Sequence, residues 1–79
     1  MNGTTLYNRI FKLTFESCIR TNQYASEGDA NRNRTNYGSA TAYGVVLREL
    51  GHEVDIPVWD DNGFLRIPYL RVNEKKFEF

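Results

Sequence analysis

Four groups of residues in this chain have types and spacings that suit chemistry or recognition. The first is the run Asn31-Arg32-Asn33-Arg34-Thr35-Asn36-Tyr37-Gly38-Ser39. With Ser39 as a helix cap, the run leads into an N-terminus whose free N–H groups and dipole attract anions. Arg32, Arg34, Ser39 and Thr41 could then hold a phosphate while Tyr37 stacks on a base. The spacing matches neither a Walker loop nor a dinucleotide fingerprint. The plainer alternative is a solvated loop before a capped helix.

The second group is Trp59, Phe64 and Arg66, with Asp55 and Leu70 nearby. Trp, Phe and Arg are enriched in interfaces, and Trp and Arg in binding hot spots. Asp55 could pair with Arg66 across two strands. This set reads as a protein-docking face or one side of a homodimer. The competing reading is that another segment covers it and makes it a second core.

The third group is the lone cysteine and the lone histidine, Cys18 and His52. A Cys–His pair oriented by Asp55 can be drawn, but no spacing supports it. A general base needs a proton within reach and an orienting partner. His52 reads as a surface residue at a helix end, and Cys18 as a small core or edge residue. The fourth group, Asp60-Asp61-Asn62-Gly63, has part of a calcium loop but lacks the later bidentate Glu. A hairpin turn accounts for it. One Cys and one His are too few for zinc. The sequence thus implies no enzyme, no metal and no cofactor.

These residues are positioned by the stretch Ser39–Val72. Ala40, Tyr43, Val46, Leu47 and Leu50 recur at helical spacing, and Gly51 follows at the C′ position. Gly44 inside that helix costs about 1 kcal/mol relative to Ala. It is either tolerated or needed for a close approach. Val54, Ile56 and Val58 then alternate with polar and aromatic neighbours, and Asp60–Gly63 signals a hairpin turn. Pairing across a two-residue turn puts Val54, Ile56, Val58, Leu65, Ile67 and Tyr69 on the helix side. The outer side then holds Trp59, Phe64, Pro57, Pro68 and Leu70, with Asp55 and Arg66, which is apolar for a face in water.

Leu6–Arg20 fits two periods. Its Phe, Thr, Ile and Cys content favours a strand, and its length favours a helix. A strand gives a β-α-β-β order, with one helix on a three-stranded sheet containing a C-terminal hairpin. A helix gives α-α-β-β. Either is an α+β domain. Pro57 and Pro68 would interrupt pairing with a further strand. Residues 21–38 read as a long polar loop, and residues 73–79 as a short charged tail able to extend a strand or add one. The first five residues read as a frayed start.

The chain has 79 residues, read as one domain over 1–79. A domain of this size buries only about 60% of its unfolded surface, so modest stability is expected. The formal net charge is +0, which suggests neither a general polyanion binder nor a membrane-surface protein. A single cysteine cannot form an internal disulfide, and no apolar run approaches the ~18 residues of a membrane span. A cytoplasmic, reduced setting follows as the expectation. Asn2-Gly3-Thr4 and Asn33-Arg34-Thr35 match the glycosylation pattern by chance in that setting. The run Leu47–Val54 looks like helix-to-strand joints in many α/β units, which carries no function. The reading reached is a small non-enzymatic protein-binding module docking on a larger protein through its hairpin face. A phage or mobile-element inhibitor has this character. The alternative is nucleotide or nucleic-acid binding through the Arg/Asn-rich loop and the helix start.

Overall fold

Leu6–Arg20, with its two competing periods, is helical. The computed structural model describes residues 3–79, and its first helix, α1, runs Gly3–Glu27. Met1 and Asn2, part of the expected frayed start and of the first glycosylation pattern, lie outside the described residues. Two partners explain the double period. Tyr7, Ile10, Phe11 and Phe15 pack on a core that includes Leu70 and Phe77 of the sheet. Thr14, Ser17, Cys18 and Thr21 recur at i, i+3, i+4 and i+7 and are all buried. Their hydroxyls need no outside partner where they bond back along the helix. Thr14 Oγ1 donates to Ile10 O at 2.7 Å and Thr21 Oγ1 to Ser17 O at 2.8 Å.

The polar loop expected over 21–38 does not exist. Those residues are the end of α1, a two-residue turn, and the first half of a second helix, α2, over Ala30–Glu49. Gly28 sits at φ +72°, and Asp29 N donates to Tyr24 O at 3.0 Å, the closing bond of a Schellman turn. Asp29 then caps α2 by accepting from Arg32 N at 3.2 Å. The helix start expected at Ser39 is therefore mid-helix, where the Ser39 hydroxyl donates to Thr35 O. The expected C-terminal end holds: Gly51 takes φ +93° and His52 N donates to Leu47 O at 3.1 Å.

Three short antiparallel strands follow in the order β1 (Val54–Asp55), β2 (Tyr69–Val72) and β3 (Lys75–Glu78). The tail at 73–79 thus supplies a strand, and β2 and β3 form a C-terminal hairpin. Asn73, at φ 56°, makes their turn. The result is an α+β domain, two helices on a three-stranded sheet, and the helix-first order is the one adopted. Asn73 also joins β1 to β2, since its N donates to Glu53 O at 2.7 Å and its Oδ1 accepts from Glu53 N at 3.0 Å.

The core lies between helices and sheet in two adjoining clusters. One is built on Leu47, Val54, Leu70 and Val72, the other on Cys18, Ala40 and Leu65. Only part of the expected α2 stripe is buried. Ala40 and Leu47 face inward, while Val46 and Leu50 remain substantially exposed. The buried line runs through Asn33, Ala40, Gly44 and Leu47.

Candidate functional site

The connection between β1 and β2 contains a small hairpin that fixes most of the candidate residues. Its ladder pairs Asp60 with Phe64, Trp59 with Leu65 and Val58 with Arg66. Asp60 N donates to Phe64 O at 2.7 Å, and Arg66 N to Val58 O at 2.9 Å. The loop between the paired residues is Asp61-Asn62-Gly63, with Gly63 at φ +87°. Asp60 Oδ1 organises it by accepting from Asn62 N at 2.8 Å and Phe64 N at 3.0 Å.

A three-residue loop differs from a two-residue one by a single register step, and such a step exchanges the two faces. Trp59 and Leu65 consequently point to the helices. Trp59 stacks on Tyr37 of α2, with centroids 4.4 Å apart and planes within 5°. Val58, Phe64 and Arg66 share the opposite face. Val58 is 60% exposed, Phe64 38% and the neighbouring Ile67 43%. The expected inner position of Val58 and outer position of Trp59 are thus reversed, while Ile67, which alternation keeps on the Leu65 side, lies beyond the paired residues and is exposed. The signal for this was in the sequence, because three-residue hairpin loops commonly end in a left-handed Gly, here Gly63.

A second reversal occurs at Pro68. Leu70, expected outside, is fully buried, and Tyr69 alternates to the outer side. Asp55 is on the outer face of β1, but its partner is Arg71, not Arg66. Arg71 Nε lies 2.7 Å from Asp55 Oδ2, and Arg71 Nη1 3.6 Å from Glu53 Oε2. That hydrogen bond holds the Asp55 carboxyl below its ordinary range. Arg66 is exposed, with Nε 3.4 Å from Trp59 O. Of the five residues expected to form one docking face, the structure leaves Phe64 and Arg66 together on the surface. Trp59 and Leu70 are packing residues.

Two asparagines anchor this hairpin to the helices. Asn33 Nδ2 donates to Thr21 O at 2.8 Å and to Gly63 O at 2.9 Å, and Asn33 is buried. Asn22 Oδ1 accepts from Leu65 N at 2.8 Å. Burial of Asn33 also closes that glycosylation pattern to any enzyme acting on the folded chain.

The Arg/Asn run makes no anion cradle. Arg32 pairs with Asp29 at 3.6 Å and lies 5.7 Å from the Tyr24 ring centre. Arg34 is exposed in the second turn of α2, and Tyr37 is engaged by Trp59. The true N-terminus of α2 is capped by a carboxylate, which repels anions. A cleft of about 220 Å³ lies beside it, lined in part by Tyr24, Asp29, Trp59, Asp60 and Asp61. Two of its carboxylates are committed, Asp29 to the helix cap and Asp60 to the loop.

Cys18 is wholly buried, and burial pushes its thiol up to about 12, far from the thiolate a nucleophile requires. His52 belongs to the other end of α1. Its ring centre is 4.3 Å from that of Tyr7, and its Nδ1 is 3.1 Å from Asn73 Nδ2. Among the described residues no three His, Cys, Asp or Glu side chains are placed to hold a metal ion, and no helix is long and apolar enough to cross a membrane. Compared with known proteins, the chain matches no family model, no curated protein and no solved structure.

Proposed function

We propose that this chain is a small protein-binding module that docks through the outer face of the 58–67 hairpin. The observation that carries the reading is Val58 and Phe64 exposed on the face of Arg66, with the next residue Ile67 exposed as well, on a hairpin anchored by Asn22 and Asn33. An apolar centre beside an arginine on a preorganised support is the composition of interface hot spots. The outer face of the adjoining sheet differs, being filled by Asp55, Arg71, Lys76 and Glu78. A module of this size acts by occupying a surface of a larger protein, as an inhibitor does.

Val58→Ser with Phe64→Ser tests the site. Val58 is 60% exposed and Phe64 38%, so the first change should cost no more than about 0.5 kcal/mol and the second about 1–2 kcal/mol. The tagged parent and the folded double variant would be used to capture proteins from the native host. Loss of a partner that the parent retains supports the site; a variant that retains every partner refutes it.

A further inference from the structure

The two edges of the sheet are treated differently by the chain. On β1, the outward carbonyl of Val54 is covered by Arg48, whose Nε and Nη2 donate to it at 3.1 and 2.7 Å. On β3 nothing comparable occurs. Phe79 N donates inward to Pro68 O at 3.1 Å, so the alternation of an antiparallel ladder turns the backbone groups of Lys76 and Glu78 outward. Among the described residues these outward groups have no hydrogen-bond partner, and the side chains of Lys76 and Glu78 form no ion pair. Lys76 stands opposite Arg71 on β2, a like charge, and lies 4.9 Å from the Tyr69 ring centre. An uncovered edge of this kind is a template for another strand.

We propose that the occupant of this edge is a second copy of the chain, paired antiparallel through β3 about a two-fold axis at Phe77. The sequence of the strand selects that partner and register. Only Lys76 and Glu78 can exchange backbone bonds outward, so they must oppose each other or themselves. Centring on Phe77 sets Lys76 against Glu78 of the second copy, and Glu78 against its Lys76. Sliding by one allowed step, in either direction, sets Lys76 against Lys76 or Glu78 against Glu78. Cross-strand opposite charges stabilise a pair and like charges destabilise it. On the helix side, Phe77 meets its own copy beside Phe11, which it already touches edge-on at 4.6 Å. The two sheets then become one of six strands, with self-complementary contacts as a two-fold interface requires. This surface is separate from the Val58–Ile67 face.

Sedimentation velocity over a wide concentration range tests the assembly. The parent should dimerise, while Lys76→Glu and Glu78→Lys should each sediment as folded monomers. Mixing the two variants should restore a dimer, because each then offers the other its complementary pair. The exchanged double variant, Lys76→Glu with Glu78→Lys, should also dimerise. Amide exchange on the parent supplies a check that needs no variant: the Lys76 and Glu78 amides should slow as concentration rises. A parent that stays monomeric with both amides unprotected at the highest concentration overturns the proposal. So does a dimer indifferent to both charge reversals, or protection of these amides only when an unrelated extended peptide is added.

Discussion

At Gly44, a Cβ built on the backbone would lie 2.7 Å from Ile56 Cγ1 and 2.8 Å from its Cδ1. Of the two readings open from the sequence, tolerance or close approach, the contact selects the second. Alanine there gains up to about 1 kcal/mol of helix propensity but overpacks the site, which costs about 1–3 kcal/mol. Gly44→Ala should therefore destabilise the parent by about 1 kcal/mol. In an Ile56→Ala background, where the obstructing atoms are gone, the same change should stabilise. Urea melts of the four proteins in the cycle read the sign reversal, and an unchanged sign would refute the steric account. Asp55 offers a test by pH. Its carboxyl is depressed below the ordinary 3.8 by the Arg71 hydrogen bond. A group with a depressed folded value adds stability above its unfolded value, and loses it as pH falls through the folded one. The melting temperature of the parent should exceed that of Asp55→Asn at neutral pH. The gap should close as pH drops below about 3.8, and a gap constant into acid would sink this assignment.

Element by element, what could be read from the sequence was the part written in apolar residues or turn chemistry. The end of α2 at Gly51 was legible, as was the turn at Asp60–Gly63. The first half of α2 was not, because its inward positions include Asn33 and Tyr37 rather than an aliphatic stripe. Its real signal was local: Gly28 as a helix stop followed at once by Asp29 as a cap. The α1–α2 contact was hidden likewise, since Thr14, Ser17 and Thr21 bury hydroxyls that bond within their own helix or stay small. The 58–67 hairpin was half legible: its location was clear, but its odd loop length turned Trp59 to the helices while Phe64 stayed outside. Its support makes a prediction. Asn33→Ala takes from Gly63 O its donor and from Thr21 O its second one, the first being the helical N–H of Ala25, and opens a gap beside the loop. A buried unsatisfied group costs about 1–3 kcal/mol, so a loss near 2 kcal/mol is expected. Asn33→Asp should cost at least as much at neutral pH, since it aims a carboxylate at two carbonyls. Chemical denaturation compares them; a loss below about 0.5 kcal/mol would mean that the hairpin is held without Asn33.

For the molecule as a whole, the question is whether its two clusters melt as one. They are distinguishable: Leu47, Val54, Leu70 and Val72 lie on one side, and Cys18, Ala40 and Leu65 on the other. Ile56 and Phe79 are the side chains that pack against both. Phe79 also meets Phe15 of α1 at a tilt, ring centres 5.8 Å apart, and its N–H closes the ladder on Pro68. It therefore ties β3, α1 and the 58–67 hairpin together. A fully buried Phe→Ala change costs about 3–5 kcal/mol. Phe79 is half-buried, so a loss of about 2 kcal/mol is expected. Cooperativity should suffer more than that figure suggests. Trp59 is the sole tryptophan and reports on the Cys18–Leu65 cluster, whereas far-ultraviolet dichroism averages over both helices. In the parent the two signals should give one urea midpoint, as a two-state domain requires. In Phe79→Ala the Trp59 midpoint should fall first, because the hairpin keeps its asparagine anchors but loses an apolar link to the other cluster. Phe11→Ala removes a contact confined to the Leu47 cluster and to Phe77, and should lower both midpoints together. If Phe79→Ala also shifts both signals in step, Ile56 alone is enough to couple the clusters.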